Sequence, residues 1–506
     1  MFHRGLTASM TRKTTVASII LIGMTQSAFA QAFDAGGGTA TGTDSIAIGQ
    51  GADSSGANAI SIGNDSRATG VDSVAIGGDD TGTGAQAIGN STTAVGGESV
   101  ANQPGNTAIG WQSNATGQFA NAFGHQATAT GNQAIAMGED AVASDEGGIA
   151  IGGNDANGQM AGANATGIDA VAIGAGAVAN GNSTVSLGGE SVSSTPGATA
   201  LGWQAVATGA MGTAVGHQTT ASGDQSFAGG EDAVASGVNG IAIGNTALAS
   251  GSDAVAIGGN RDGADGFQTI ASGTSSTAIG GQSQATMAGA TAIGWRAMAT
   301  GERAQAFGHL ATASGVRSTA VGEAANASGG FALAFGNLSQ ATGENSVAIG
   351  NGAVAARDNQ VAIGTDVSTY TLGGIASDAS AAAQSGPVRL VTSDAQGNLA
   401  VSDVDATAFA SLGSTLSAQG GQIARNTDDI ADNREGIAMA MALDAPYVPA
   451  DRQFAVSGGL GAFDGATAFA VSGAYRIDAY TQVDAGVTYG FDRNQVGGRI
   501  GVSYSW

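Results

Sequence analysis

Between Ser45 and Gly364 the chain writes one short phrase more than twenty times: an alternating run of small and aliphatic residues closed by glycine. Ser45-Ile46-Ala47-Ile48-Gly49, Ser73-Val74-Ala75-Ile76-Gly77, Ala170-Val171-Ala172-Ile173-Gly174 and Ser346-Val347-Ala348-Ile349-Gly350 are typical copies. The closing glycines fall at 110 through 152, 174 through 258 and 280 through 364, fourteen residues apart within each series. A strict period with period-2 alternation inside each copy means one strand-bearing coil stacked on the next. Each repeat in such a stack contacts only its neighbours. The product is a long surface with no obvious pocket, and the work expected of it is to reach and to stick.

Alternation sends Val and Ile to one face of each strand and Ala to the other. The aliphatic face is expected to fill the inside of the coil, leaving the alanines as a flat stripe for packing against another chain. At roughly 4.8 Å per coil the repeat region is on the order of 110 Å long. A longer period lies beneath the short one. Trp111, Trp203 and Trp295 are spaced by 92 residues, as are His125, His217 and His309, so blocks of several coils have been duplicated. Three long steps, Gly77 to Gly96, Gly152 to Gly174 and Gly258 to Gly280, are rich in Asp, Asn and Gly. They are expected to bulge as loops.

Composition narrows the class. The chain has 86 Gly but only 5 Pro, and no Gly-X-Y run, which excludes collagen. Aromatics make up 5% of residues, too few for a large jigsaw core. Residues 1–30 have the form of a signal peptide: Arg4, Arg12 and Lys13, a short apolar stretch from Val16 to Met24, and Ala28-Phe29-Ala30 as a cleavage site. Cleavage removes three basic residues and no acids, taking the net charge from -24 to -27 (-24 - 3). With Lys13 gone no lysine and no basic patch remain, which argues against nucleic acid as a partner. There is no cysteine, so no disulfide staples the exported chain.

The repeat stops after Gly364. Residues 365–405 form a connector, with a strand-like Thr369-Tyr370-Thr371-Leu372 and a turn at Asp394–Asn398. Over 406–443 the period becomes seven. Leu416, Ile423, Ile430 and Ile437 repeat, with Leu412, Gln419, Asn426, Asn433 and Ala440 at the complementary position. That is a coiled-coil seam with polar residues at several core sites. Gly420-Gly421 weakens the helix, so its regular part is expected to begin at Gln422. The last segment, 444–506, holds four alternating runs: Gln453–Ala462, Ala466–Tyr475, Tyr480–Tyr489 and Gln495–Trp506. In the fourth, Ile500, Val502, Tyr504 and Trp506 share one face. Such strands describe an outer-membrane β-barrel anchor. Four strands cannot close a barrel, and open edges do not survive in lipid. Three copies would give twelve strands. Gly459 and Gly461 on the first run, with the small residues of 436–443, are expected to line a lumen that holds helices.

Taken together, the leader, the Ser-Val-Ala-Ile-Gly repeats over 31–364, the connector, the heptads and four C-terminal strands ending in an aromatic residue resemble the YadA-like trimeric autotransporter adhesins of Gram-negative bacteria. The most specific parts are the head repeat and the run from Asn433-Arg434-Glu435-Gly436 to Trp506. The resemblance implies a mostly β fold: a left-handed parallel β-roll head of three intertwined chains, a short coiled-coil stalk and a twelve-strand pore through which the head was exported. It implies a homotrimer in the outer membrane with its head on the cell surface. It also implies that Ile423-Ala424-Arg425-Asn426-Thr427 matches a stalk motif whose asparagines hold an anion on the threefold axis, Asn426 and Thr427 here. Trp506 resembles the terminal signal read by the outer-membrane assembly machinery. The usual neck motif, an Asp-Ala-Val-Asn-Val-Ala-Gln-Leu-like run, is absent, and 365–405 stands in its place.

No catalytic constellation is present: no His-Glu-x-x-His, no phosphate loop ending in Gly-Lys-Ser/Thr, no cysteine nucleophile. An enzyme is not expected, nor a cofactor or resident metal. The Gly-Gly-Asp/Asn loops are too sparse for the repeat-type calcium consensus. His125, His217 and His309 read either as copied turn residues or as threefold imidazole rings. Trp111, Trp203 and Trp295 read either as caps on coil edges or as a ladder of aromatic anchors, which makes both sets candidate adhesive turns. Two functions remain: an adhesin binding host extracellular matrix, cells or another surface ligand, and a structural surface fibre that promotes autoaggregation and biofilm without a receptor.

Overall fold

The computed structural model describes residues 32–80, 83–154, 160–260, 267–386 and 388–506. The leader expected over 1–30 and the middles of the three long steps lie outside these residues. The chain divides into two units, Met1–Thr369 and Tyr370–Trp506.

The first unit is a parallel β-solenoid. Each coil contributes a three-residue strand to a 23-stranded ladder and a two-residue strand to a second ladder. Val171–Ile173 and Val178–Ala179 are one such pair. The register is uniform: Val171 pairs with Val185, and Val178 with Val192. Backbone bonds between coils continue through the turns, as from Gln126 N to Trp111 O at 2.9 Å. The closing glycines are obligatory. Gly174 holds φ at +130°, and a Cβ there would collide with Gly188 in the next coil.

The inside of the coil is the reverse of the expectation. Ala170, Ala172, Ala177 and Ala179 are 0% exposed, and their equivalents repeat throughout the unit. The aliphatics face outward, with Ile76 38% and Ile349 42% exposed. The cause is the thinness of the coil. Strands of three and two residues bring two backbones face to face across a narrow gap, with a neighbouring coil about 4.8 Å above and below. Four inward positions per coil then have room for little beyond a methyl group. Just before a strand, a hydroxyl that replaces the alanine can find a carbonyl three residues back: Ser73 Oγ donates to Gly70 O and Ser346 Oγ to Gly343 O, both at 2.7 Å.

The long steps leave the ladders undisturbed. Val74 pairs with Thr93, Ile149 with Val171 and Val255 with Thr277, as if the extra residues were absent. All three insertions lie in the same turn, between a three-residue strand and the two-residue strand that follows.

In the second unit the strand-like reading of Thr369–Leu372 fails: those residues are irregular. The connector holds instead a short helix, Asp378–Ala382, and an antiparallel hairpin of Arg389–Ser393 with Leu399–Asp405. The hairpin turns where Asp394 accepts the N–H groups of Gln396 and Asn398. Asp405 ends the hairpin and caps one continuous helix, Ala406–Ala442, accepting from Ala408 N. Two glycines at about 1 kcal/mol each do not interrupt it, because restarting a helix requires a fresh nucleus. Leu412, Leu416, Ile423, Ile430 and Ile437 are all exposed along it, an uncovered seam in the single chain.

Four antiparallel strands complete the unit: Phe454–Phe463, Ala466–Arg476, Thr481–Gly490 and Val496–Tyr504, each paired with the next. The inner face packs on the helix through Ala438, Met439, Ala442, Ala466, Ala468 and Ala470. Among the described residues no helix is long and apolar enough to cross a membrane.

Ala242→Leu, at a fully buried inward site, should destabilise the head by about 1–3 kcal/mol through overpacking. Ala242→Ser should also destabilise it, by about 1–3 kcal/mol, because its hydroxyl would be buried without a partner, as Ser186 Oγ is at the same place in another coil. Thermal unfolding of the purified head checks both.

Candidate functional site

The turn after each three-residue strand carries the residues singled out by the 92-residue period. Solenoid register places position i directly beneath i+14, so the tryptophans and histidines meet. Trp111 stacks on His125 with ring centroids 4.9 Å apart and planes 16° apart. Trp203 with His217 and Trp295 with His309 repeat this at 4.8 Å, with angles of 13° and 15°. One coil further each imidazole meets a glutamate: His125 Nδ1 lies 2.8 Å from Glu139 Oε1, His217 Nδ1 3.4 Å from Glu231 and His309 Nδ1 3.3 Å from Glu323. The glutamates escaped the sequence reading, although the fourteen-residue step from each histidine marks them.

The other face of each indole is also occupied. Gly97 and Gly189, one coil earlier, lie so close that a Cβ would stand 3.2 Å from Trp111 Cδ1 and Trp203 Cδ1, and Gly281 holds the same place under Trp295. Each tryptophan is therefore flanked by a glycine backbone and an imidazole; Trp111 and Trp203 remain exposed, whereas Trp295 is half-buried and its Nε1 is buried without a hydrogen-bond partner among the described residues. A ligand cannot stack flat on it without displacing the histidine. Within one chain the stacked rings present a mixed polar and aromatic rim.

Beside the first two columns runs a second one. Gln112 Nε2 donates to Glu98 Oε2 at 2.7 Å and Gln126 Nε2 to Gln112 Oε1 at 2.8 Å. Gln204 donates to Glu190, and Gln218 to Gln204 at 2.9 Å. The third block departs: Arg296 replaces the first glutamine, and its guanidinium lies 4.3 Å from the Phe267 ring, at the exit of the third insertion, and 5.1 Å from Trp295. Column, amide ladder and insertion thus share one edge of the solenoid. Among the described residues no group of three His, Asp or Glu side chains could hold a metal ion.

In the second unit Asn426 sits on the heptad seam, its Oδ1 accepting from Gln422 Nε2 at 2.9 Å, while the Thr427 hydroxyl donates to Ile423 O at 2.8 Å. Gly459 and Gly461 face the helix, where a Cβ would collide with the carbonyl oxygens of Ala442 and Ala438. Ile500, Val502 and Tyr504 point away from the helix-packed face, Ile500 being 87% exposed, and Trp506 is 99% exposed.

A repetitive β-solenoid followed by a heptad helix and an open four-stranded sheet defines a surface fibre carrying its own membrane anchor. Comparison with known proteins places it further. The YadA head domain repeat matches in thirteen copies between residues 40 and 366, and the YadA-like membrane anchor domain matches residues 446–506. The chain belongs to the YadA-like trimeric autotransporter adhesins, outer-membrane proteins with an exposed head whose members are homotrimers. Among solved structures it is similar to the collagen-binding domain of the Yersinia adhesin YadA, at 21% identity over 47% of this chain and 84% of that one, with a TM-score of 0.15. No curated protein matches.

Removing either ring of one column should release its partner. His217→Ala and Trp203→Ala should each destabilise the head, and the double variant should lose less than their sum. The coupling expected of a stacked pair is about 0.5–1.5 kcal/mol. A double-mutant cycle on head unfolding measures it, and strict additivity would contradict the contact.

Proposed function

We propose that the chain is a cell-surface adhesin, exported through a pore built by three copies of its own anchor, that attaches the cell to extracellular matrix, another cell or a surface ligand. The observation that carries this reading is the turn edge of the head, where the same Trp–His–Glu column recurs three times beside its insertions. Three weak contacts on one rigid body gain by avidity whatever the single contact lacks. Columns in register along one edge suit an extended or repetitive ligand.

The remaining assignments follow from the same reading. Three four-stranded sheets close twelve strands, with Ile500, Val502 and Tyr504 toward lipid and Gly459 and Gly461 toward a lumen shared by three helices. In the stalk, three Asn426 side chains on the axis supply donors that call for an acceptor, which an anion held with Thr427 provides.

Saturable binding of purified trimeric head to a defined matrix or cell-surface component, lowered by exchanging the columns of all three blocks for alanine, is the expected result. Cell clumping without saturable binding to any such component would favour the structural fibre instead. Unheated gel migration of membrane fractions should show a species of three chain masses, and a stable monomer would overturn the shared pore.

Trp506 carries a separate expectation. If the assembly machinery reads this residue, Trp506→Phe should insert nearly as the parent, whereas deletion of Trp506 should leave unassembled chain in the periplasm. Equal insertion of both would reduce the residue to an interfacial anchor.

A further inference from the structure

One end of the anchor sheet, carrying the 464–465 and 491–494 turns, is bound to the long helix by a compact set of polar contacts. Arg434 Nε lies 2.8 Å from Asp464 Oδ2 in the first turn. Arg493, in the other turn, reaches Asp428 Oδ1 at 2.9 Å and Asp432 Oδ1 at 3.1 Å. Between these pairs Glu435 is fully buried, and its Oε1 accepts the backbone N–H groups of Asp492 and Arg493, both at 2.7 Å. Its Oε2 is buried and has no hydrogen-bond partner among the described residues. Gly490 stands against the carboxylate, where any Cβ would collide with it. Asp492 completes the set by accepting Thr467 N–H at 2.8 Å, which ties the two turns together.

Two backbone donors fixed on the sheet and one carboxylate on the helix make a register mark. Sliding the helix by one turn would bring Ala431 or Met439 to the donors, and neither side chain can accept. Only the seated register gives both donors their charge-assisted bonds to the Glu435 carboxylate, so that register is favoured. The sequence makes the key unique: Glu435 is the only glutamate C-terminal to Glu344. The aspartates upstream are one methylene shorter, and Asp428 and Asp432 are engaged by Arg493 when Glu435 is seated.

We propose that Glu435 is the positioning residue that stops the helix in its resting register once the head is outside, and so keeps the pore plugged. This rests on the reading that three helices occupy the lumen of a shared barrel. While other segments of the chain pass the turns the mark is empty; when Glu435 arrives, its carboxylate pairs the two donors and the arginines close over it.

The test uses cells displaying the full-length chain and reads three quantities: head exposed at the surface, entry of a large glycopeptide antibiotic that intact outer membranes exclude, and the temperature at which the trimer dissociates in detergent. Glu435→Ala and Gly490→Ala should display the head at parental level, admit several-fold more antibiotic and dissociate at lower temperature. Glu435→Gln, whose amide oxygen can accept both N–H groups, should restore most of the seal. A tight pore with unchanged dissociation in Glu435→Ala would overturn the proposal, as would loss of head display from an inserted anchor, which would make Glu435 part of export itself. Should Glu435→Ala not reach the membrane, the exposed pair Arg434→Ala and Arg493→Ala takes its place: a leak supports the stop, and a parental seal overturns it. Deleting residues 433–442 separates the two layers of the argument. If that deletion leaks and the point variants do not, only the stop fails; if it does not leak, the helix is no plug.

Discussion

Everything in the head follows from how thin a fourteen-residue coil must be. Its two short strands lie so close that the interior holds mostly alanine from Ala47 to Ala355, with serine, threonine and Asn106 in other places. A methyl group buries little area, so each coil gains only a small hydrophobic contribution. Cohesion within one chain rests mainly on backbone bonds between coils, such as Ile241 N to Ala254 O at 2.8 Å. The isoleucines and valines, which carry most of the apolar area, stand outside. In a homotrimeric family that outer face has a ready use, and the stripe expected to be alanine is aliphatic.

The same stacking explains how the head's chemistry is organised. Because register is preserved across every coil, residues fourteen apart in sequence become neighbours, and blocks 92 apart become copies six coils along. Six coils at roughly 4.8 Å put successive columns about 29 Å apart. The insertions leave the ladder intact because they enter only at the turn, where extra length disturbs no pairing. Insertion is thereby confined to one edge. That edge carries the Trp, His and Glu columns, while Gln, Glu and Arg also stand outward elsewhere, as Arg67 and Gln305 do on strands and Glu302 and Arg303 do in the opposite turn.

How much of this was legible in the sequence varied with the physics. The period gave the coils, and the heptads gave the helix. The alternation gave four anchor strands within a residue or two of Phe454–Phe463, Ala466–Arg476, Thr481–Gly490 and Val496–Tyr504. Alternation alone does not say which face is inside. The usual ranking sends Ile and Val inward, and only the distance between facing strands reverses it. The Trp–His contact could have been found by applying the fourteen-residue step to the tryptophans, and the glutamates by applying it again. The hairpin of 389–405 was missed because Val391, Leu399 and Val401 are too few for a period, and Thr369–Leu372 was misread because a β-rich composition without a pairing partner makes no strand. Glu435 carried no local signal. Its burial depends on Gly490 and two backbone donors more than fifty residues away.

Taken alone, one chain leaves three surfaces unfinished: the outward aliphatic column of the head, the heptad seam from Leu412 to Ile437, and the free edges of the first and fourth anchor strands. These differ in kind, one calling for apolar cover, one for facing helices and one for backbone partners. A continuous chain imposes a single stoichiometry on all of them, so the number of strands needed to close a barrel also fixes how many helices and how many solenoids must meet. The anchor sets the strictest condition, because lipid tolerates no unpaired strand edge, whereas an uncovered aliphatic column in water costs less. Association is therefore best fixed at the membrane, with the head, whose single coils are weakly held, completing its packing only after three chains have been brought together.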